Sequence, residues 1–224
     1  MKIIIINGSN RKNGTTGLIL NEMALHLKKF SDVDVQIFHV ADFKLEYCTG
    51  CCACYRTGKC IFQDDIENLS SDIENADGII LGSPNYASNV SGQMKVIIDR
   101  GHFVIEQLLY GKYAVSVATY ENYGGKDTAK VLNKLLLYSG AQISSTVLYK
   151  NPFSSNPFGN AGFKKLIQKK ADRLYKDISR RHNYVLQRIK HFIIFQMGIK
   201  PFVKKKGEKY NGVIKHWKKR NIRI

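Results

Sequence analysis

The sequence predicts an α/β fold in which five parallel strands form one sheet with helices on both faces. Three observations carry this. Apolar, β-branched runs alternate with helically spaced ones as far as residue 150. The run Gly78-Ile79-Ile80-Leu81-Gly82 has no polar side chain, as a central strand buried on both faces requires. Ile3-Ile4-Ile5-Ile6 runs into the loop Asn7-Gly8-Ser9-Asn10-Arg11-Lys12-Asn13-Gly14-Thr15-Thr16 and on into an amphipathic helix, the strand-to-helix step of a right-handed parallel crossover.

In chain order, strands are expected near residues 2–6, 33–40, 78–82, 112–118 and 142–149, with helices near 17–29, 66–75, 92–103 and 128–139. From Phe163 the apolar residues recur at Ile167, Ala171, Leu174 and Ile178, then at Val185, Ile189 and Phe192, while Lys and Arg fill the other faces. That is helical spacing, with Asn160 placed to cap its start and Arg180-Arg181-His182-Asn183 placed to break it. Its first half is expected to be the last helix packed on the sheet. The chain therefore divides into an α/β domain over residues 1–180 and a basic, partly helical extension over residues 181–224.

A chain of 224 residues with 44% apolar content can build one such domain and its core, at the usual ~100–200 residues per domain, with a tail to spare. The formal net charge of +17 resides in that tail: residues 1–150 carry 15 Lys or Arg against 15 Asp or Glu, and residues 151–224 carry 20 against 3. Nucleic-acid binding is disfavoured, because no recognised module accompanies the charge. The apolar run after Lys2 is too short for a secretory leader, and no stretch reaches the ~20 apolar residues of a membrane span. A soluble, cytoplasmic protein is expected. Of the five cysteines, Cys48, Cys51, Cys52 and Cys54 are clustered with Cys60 close behind, an odd count that favours metal or redox chemistry over a disulfide framework.

In open parallel sheets a ligand sits beyond the carboxyl ends of the strands, where the strand order reverses. Three loops are expected to meet there. The first, residues 7–16, reads as a phosphate cradle. It aims backbone N–H groups and the positive end of a helix dipole at one spot, while Ser9, Thr15 and Thr16 add hydroxyls and Arg11 adds charge. It matches neither the Walker pattern nor Gly-x-Gly-x-x-Gly, so a terminal monophosphate fits better than a triphosphate or pyrophosphate. An ordinary strand-to-helix turn is the plain alternative. The second loop, Ser83-Pro84-Asn85-Tyr86-Ala87-Ser88-Asn89-Val90-Ser91-Gly92, is rich in small residues and has no acidic side chain. The third is Thr119-Tyr120-Glu121-Asn122-Tyr123-Gly124-Gly125. Small polar residues let backbone amides approach the edge of a flat heterocycle, and Tyr86, Tyr120 or Tyr123 could stack on its face. A phosphate with a planar ring at its far end describes FMN.

Residues 8–16, the segment Gly82-Ser83-Pro84-Asn85-Tyr86, the segment Gly92-Gln93-Met94-Lys95 and the pair Asp99-Arg100, with the spacing between them, resemble the NAD(P)H-dependent FMN reductases and iron-sulfur flavoproteins of the flavodoxin-like superfamily. The resemblance spans about residues 1–150 and implies a flavodoxin-like three-layer sandwich with strand order 2-1-3-4-5. It implies that Ser9, Arg11, Asn13, Thr15 and Thr16 hold the FMN phosphate. Pro84, Asn85, Tyr86, Ala87, Ser88 and Asn89 would line the isoalloxazine, and the third loop, with Thr119, Tyr120 and Gly124, would close over its pyrimidine side. Asn10 stands where the family often has Pro, and Ala87 where many members have Gly; neither change removes a phosphate donor. A homodimer or homotetramer is also implied, and Tyr86 could equally pack against a partner subunit. Asp99-Arg100 reads as an exposed or half-buried ion pair near a helix end.

Without Cys52, the cysteines stand two, two and five residues apart, a spacing that resembles the compact motif of the iron-sulfur flavoproteins. A [4Fe-4S] cluster on Cys48, Cys51, Cys54 and Cys60 is then implied, with Cys52 left over. A structural zinc site, a redox-active Cys51 and Cys54 pair, and plain reduced thiols are the other readings of this run.

The extension carries Phe192-Ile193-Ile194-Phe195, Lys204-Lys205-Lys206 and Trp217-Lys218-Lys219-Arg220. It reads as a surface for an acidic partner or anionic membrane, as a dimer arm, or as a steering charge for NADPH phosphates. The expected function is FMN-dependent hydride transfer from NAD(P)H and on to a flavin, quinone or other small-molecule or protein acceptor. The chemistry would lie at flavin N5, with no obligatory acid or base among the side chains. The alternative is an electron carrier that holds FMN and a [4Fe-4S] cluster.

Overall fold

The computed structural model describes residues 1–152, 155–159 and 161–222, so the expected cap Asn160 lies outside the described residues. Strands β1 (Lys2–Asn7), β2 (Asp34–His39), β3 (Gly78–Pro84), β4 (Tyr113–Tyr120) and β5 (Gln142–Lys150) form one sheet in the order β2-β1-β3-β4-β5. Every pairing is parallel. The four isoleucines of β1 are wholly buried because successive side chains point to opposite faces and both faces are covered. Ile3 and Ile5 join a core with Leu20 and Met23 of helix α1 (Thr15–Leu27) and Leu174 of α7 (Ala161–Ser179). Ile4 and Ile6 join the opposite core, with Leu69 of α3 (Ile66–Glu74), Ile97 of α4 (Gly92–Arg100) and Leu132 of α6 (Gly125–Tyr138). This is the flavodoxin-like three-layer sandwich.

The one helix expected over 92–103 is two. Gly101 and His102 interrupt it, His102 with a left-handed φ of 56°, and a short helix α5 (Phe103–Glu106) follows. The connection after β2 carries the cysteines and one short helix, α2 (Ala53–Thr57).

The extension continues as α8 (Val185–Ile194), a π turn (Phe195–Ile199), α9 (Lys200–Lys206), a 3₁₀ turn (Gly207–Tyr210) and α10 (Asn211–Lys219). Its apolar residues divide. Phe195, Val203, Tyr210, Val213, Trp217 and Ile222 form a third buried cluster against Tyr55 and Ile105, so α10 lies over α2 and α5. The outer face of α8 is bare, with Leu186 82% and Phe192 61% exposed. No helix among the described residues is long and apolar enough to cross a membrane.

Candidate functional site

Register places the three loops at one edge of the sheet: Asn7 pairs opposite Gly82, and Pro84 opposite Thr119. The loops then bond to one another. Gly8 N–H donates to the Gly82 carbonyl at 2.8 Å, and Ser91 Oγ donates to the Gly8 carbonyl at 2.5 Å. Asn85 N–H donates to the Thr119 carbonyl at 2.7 Å. The Asn85 side chain donates to the Tyr123 carbonyl at 2.9 Å and accepts from Thr128 Oγ1 at 2.7 Å. Two glycines permit this approach: a Cβ on Gly8 would stand 2.7 Å from Met94 Cβ, and one on Gly124, whose φ is +78°, would stand 2.6 Å from Ser88 Oγ.

Helix α1 starts with no side-chain cap on Gly14 and no acidic residue in its first turn. Its first N–H groups thus face the loop with their partial positive charge uncompensated by the chain. Arg11 and Asn13 are exposed on that loop, Thr15 is half-buried, and Ser9 and Thr16 are buried. Ser9 Oγ accepts from Arg11 N–H at 3.2 Å, and Thr16 Oγ1 lies 2.7 Å from Thr119 Oγ1, so these two hydroxyls shape the loop. Thr15 Oγ1 accepts from Asn151 Nδ2 at 3.0 Å and keeps its own proton to donate.

The segment 84–89 is built around a two-residue turn. Tyr86 and Asn89 exchange backbone hydrogen bonds, both 3.0 Å, around Ala87 (φ 49°) and Ser88 (φ 59°). Two left-handed central residues make a type I′ turn, where glycine is least strained. Tyr86 is 50% and Tyr123 74% exposed, so both can cover a ligand, whereas the Tyr120 ring packs where a Cβ on Gly125 would collide.

Sequence reasoning missed several residues that hold these loops. Asn7 Oδ1 accepts from Ser9 N–H at 3.0 Å. Ser91 caps α4, accepting from Met94 N–H at 3.1 Å, and its own N–H donates to Ser83 Oγ at 3.0 Å. A serine directly before a helix start was the available signal for Ser91. Nothing local to Asn151 announced its reach to Thr15, 136 positions away.

Asp99 and Arg100 do not pair with each other, which corrects the sequence reading. Neighbouring residues on a helix point in different directions. Asp99 binds Lys95 one turn back. Arg100 is buried: Nη1 bonds to Asp64 and, at 2.8 Å, to the Glu46 carbonyl, while Nη2 donates to Asp64 Oδ1 at 3.0 Å and to Cys60 Sγ at 3.2 Å. Burial opposes ionisation of Asp64, but the bonds from Arg100 and from the backbone N–H groups of Glu46 and Ile66 hold its carboxyl below the usual range.

Arg100 thereby introduces a second site. Cys48, Cys51, Cys52, Cys54 and Cys60 line one cavity with Arg100 and His102. All five are free thiols. A hydrogen bond from the Ala53 backbone lowers the Cys51 thiol. Cys52 takes a left-handed φ of 56° and turns its sulfur onto the Gly50 carbonyl at 3.4 Å, which sets it apart from the other four. Burial would depress His102, yet its hydrogen bonds to Cys54 and Glu106 push it up to about 10. Burial likewise opposes ionisation of Glu106, but His102 and His216 hold it low. A metal centre takes its cysteine ligands as thiolates. Among the described residues, however, no three of His, Cys, Asp and Glu converge as a metal-holding group. The donor chemistry fits a cluster on a loop that is gathered but not closed.

Residues 1–152 match the family model for NADPH-dependent FMN reductase. The chain belongs to the NADPH-dependent FMN reductase family. An iron-sulfur flavoprotein of Clostridioides difficile is 35% identical over 224 residues, 99% of this chain and 100% of that one. An iron-sulfur flavoprotein of Archaeoglobus fulgidus is 37% identical over 141 residues, 61% of this chain and 62% of that one. Among solved structures, a flavodoxin from the domain Archaea is similar over 80% of this chain and 99% of its own, with a TM-score of 0.55 at 13% identity, a likeness of fold. Family membership makes the chain an oxidoreductase of the flavin type, and several of its relatives are named for iron and sulfur.

Proposed function

We propose that the chain is an FMN-dependent NAD(P)H oxidoreductase whose flavin lies across the three interlocked loops. The observation that carries this reading is the uncapped, acid-free start of α1, tied through Thr16 to the end of β4. When bound, FMN supplies the redox chemistry, taking a hydride from NAD(P)H and passing electrons to a flavin, quinone or other acceptor. The backbone N–H groups of the first loop, with Arg11, Asn13 and the Thr15 hydroxyl, would bind the phosphate. The turn at residues 86–89 would present backbone to the ring edge, and Tyr86 and Tyr123 would shield it from water. No acidic side chain lies in residues 83–92, and Glu121 is exposed, so little negative charge would oppose added electrons. An absorption spectrum of anaerobically purified protein before and after NADPH tests this: flavin bands that bleach support it, and flavin bands that stay unchanged overturn it.

A second reading is favoured by the cysteine cavity: an electron carrier with FMN and a [4Fe-4S] cluster held by Cys48, Cys51, Cys54 and Cys60. Helix α4 joins the two sites, with Ser91 capping its start against Gly8 and Arg100 at its end against Cys60. Its nine residues span roughly 13 Å. The bare face of α8, bordered by Arg188 and Lys190, would suit an acidic protein partner. Iron and sulfide in the purified protein, with flavin that NADPH does not reduce, would select this reading over the first.

A further inference from the structure

The end of the extension is wrapped around the cysteine loop. Tyr210 stacks on Tyr55 with ring centroids 4.9 Å apart. Gly212 meets the loop so closely that a Cβ there would collide with the Gly58 nitrogen and stand 2.9 Å from the Cys54 carbonyl oxygen. Trp217 is fully buried and donates from Nε1 to the Ile105 carbonyl at 2.9 Å, and Arg220 Nη1 donates to the Glu106 carbonyl at 2.6 Å. A free docking arm would bury none of these.

At the centre of the contact is Glu106, a carboxylate 2% exposed. One of its oxygens lies 2.7 Å from His102 Nδ1, and the other bonds to His216 Nδ1, on α10. His102 in turn lines the cysteine cavity together with Cys54. A buried carboxylate needs partners on both oxygens, and among the described residues the second is supplied by the extension. His102 also occupies a left-handed backbone position, a sparsely populated region that persists only where neighbours fix it. The hydrogen bonds therefore run from His216 through Glu106 to His102, at the wall of the cysteine cavity, an arrangement suited to orienting a metal ligand from outside its coordination sphere.

We propose that residues 207–222 are a built-in clamp for the cysteine loop, and that His216 is a positioning residue which, through Glu106 and His102, holds Cys54 as a ligand of an iron-sulfur cluster. The inference rests on the cluster reading of the cysteine cavity. Hydrogen bonds to cluster sulfurs are one of the protein's means of setting a reduction potential, and N–H donors to sulfur stabilise the more negative, reduced state. Loss of His216 should therefore loosen the cluster and make its potential more negative.

The test uses the full chain, reconstituted anaerobically with iron and sulfide, as wild type, His216→Ala, His216→Gln and Gly212→Ala, with Lys215→Ala as a control for lost charge. Iron and sulfide per chain, the rate of iron loss to a chelator, the cluster's midpoint potential and FMN content are measured on each. His216→Ala and Gly212→Ala are expected to retain FMN and to release iron at least tenfold faster. His216→Ala should also shift the potential negative, His216→Gln should restore part of both effects, and Lys215→Ala should match wild type. A loaded wild type whose His216→Ala and Gly212→Ala variants release iron at the same rate and potential would overturn the clamp alone. A wild type that takes up neither iron nor sulfide would overturn the cluster reading and the clamp with it.

Discussion

The hydroxyl of Thr16 lies 2.7 Å from the hydroxyl of Thr119, which fastens the first turn of α1 to the end of β4 across the edge of the sheet. Both residues are buried, so removing one hydroxyl leaves the other without a partner. Thr119→Val is expected to cost about 1–3 kcal/mol of stability and to weaken FMN binding, because the first loop loses its tie to the third. Denaturant midpoints and an FMN titration of the same variant check both effects.

Gly17 sits where a Cβ would collide with the Lys12 carbonyl oxygen, so the first loop can close against α1 only over a glycine. Gly17→Ala should force residues 10–14 outward and lower FMN affinity by about tenfold or more, a loss of ~1.4 kcal/mol or above. Quenching of flavin fluorescence on binding gives the number directly.

Ala87 holds a φ of 49° with a side chain that this region disfavours by roughly 1–2 kcal/mol. Glycine removes that strain but adds chain entropy to the unfolded state, so Ala87→Gly should be net stabilising by about 0.5–1 kcal/mol. An unchanged or lower denaturant midpoint would show that the turn is not left-handed in solution.

Arg100 and Asp64 form a buried pair, with side chains 1% and 10% exposed. Arg100→Ala strands the carboxylate and should cost ~3–5 kcal/mol. Because the folded carboxyl of Asp64 is held below its ordinary value, its contribution is complete above the usual carboxylate range and is lost as pH falls through the lowered one. Unfolding midpoints measured from pH 7 down to about pH 2 should therefore fall more steeply in wild type than in Asp64→Asn.

Much of this was legible in the chain, for local reasons. Five apolar runs separated by helical spacing leave few arrangements other than a parallel sheet, and each strand formed where its run stands. The three loops could be placed because they follow directly from strand ends. Contacts that join distant segments carried no local sign. Arg100 reaches Asp64 across 36 positions, and Trp217 reaches Ile105 across 112. The spacing of residues 185–192 was right for a helix but silent on burial, since α8 leaves its apolar face bare while Trp217, in a far more charged segment, is wholly enclosed. The split at His102 was hidden because the apolar pattern runs on through Phe103.

The central claim, that the three loops enclose FMN by its phosphate as well as its ring, is tested most directly by titrating flavin-free protein with FMN and, separately, with riboflavin. Saturation at one FMN per chain, with riboflavin bound at least about tenfold more weakly, is the expected result. Equal affinity for the two would remove the phosphate from the first loop, and no binding of either would contradict the account altogether.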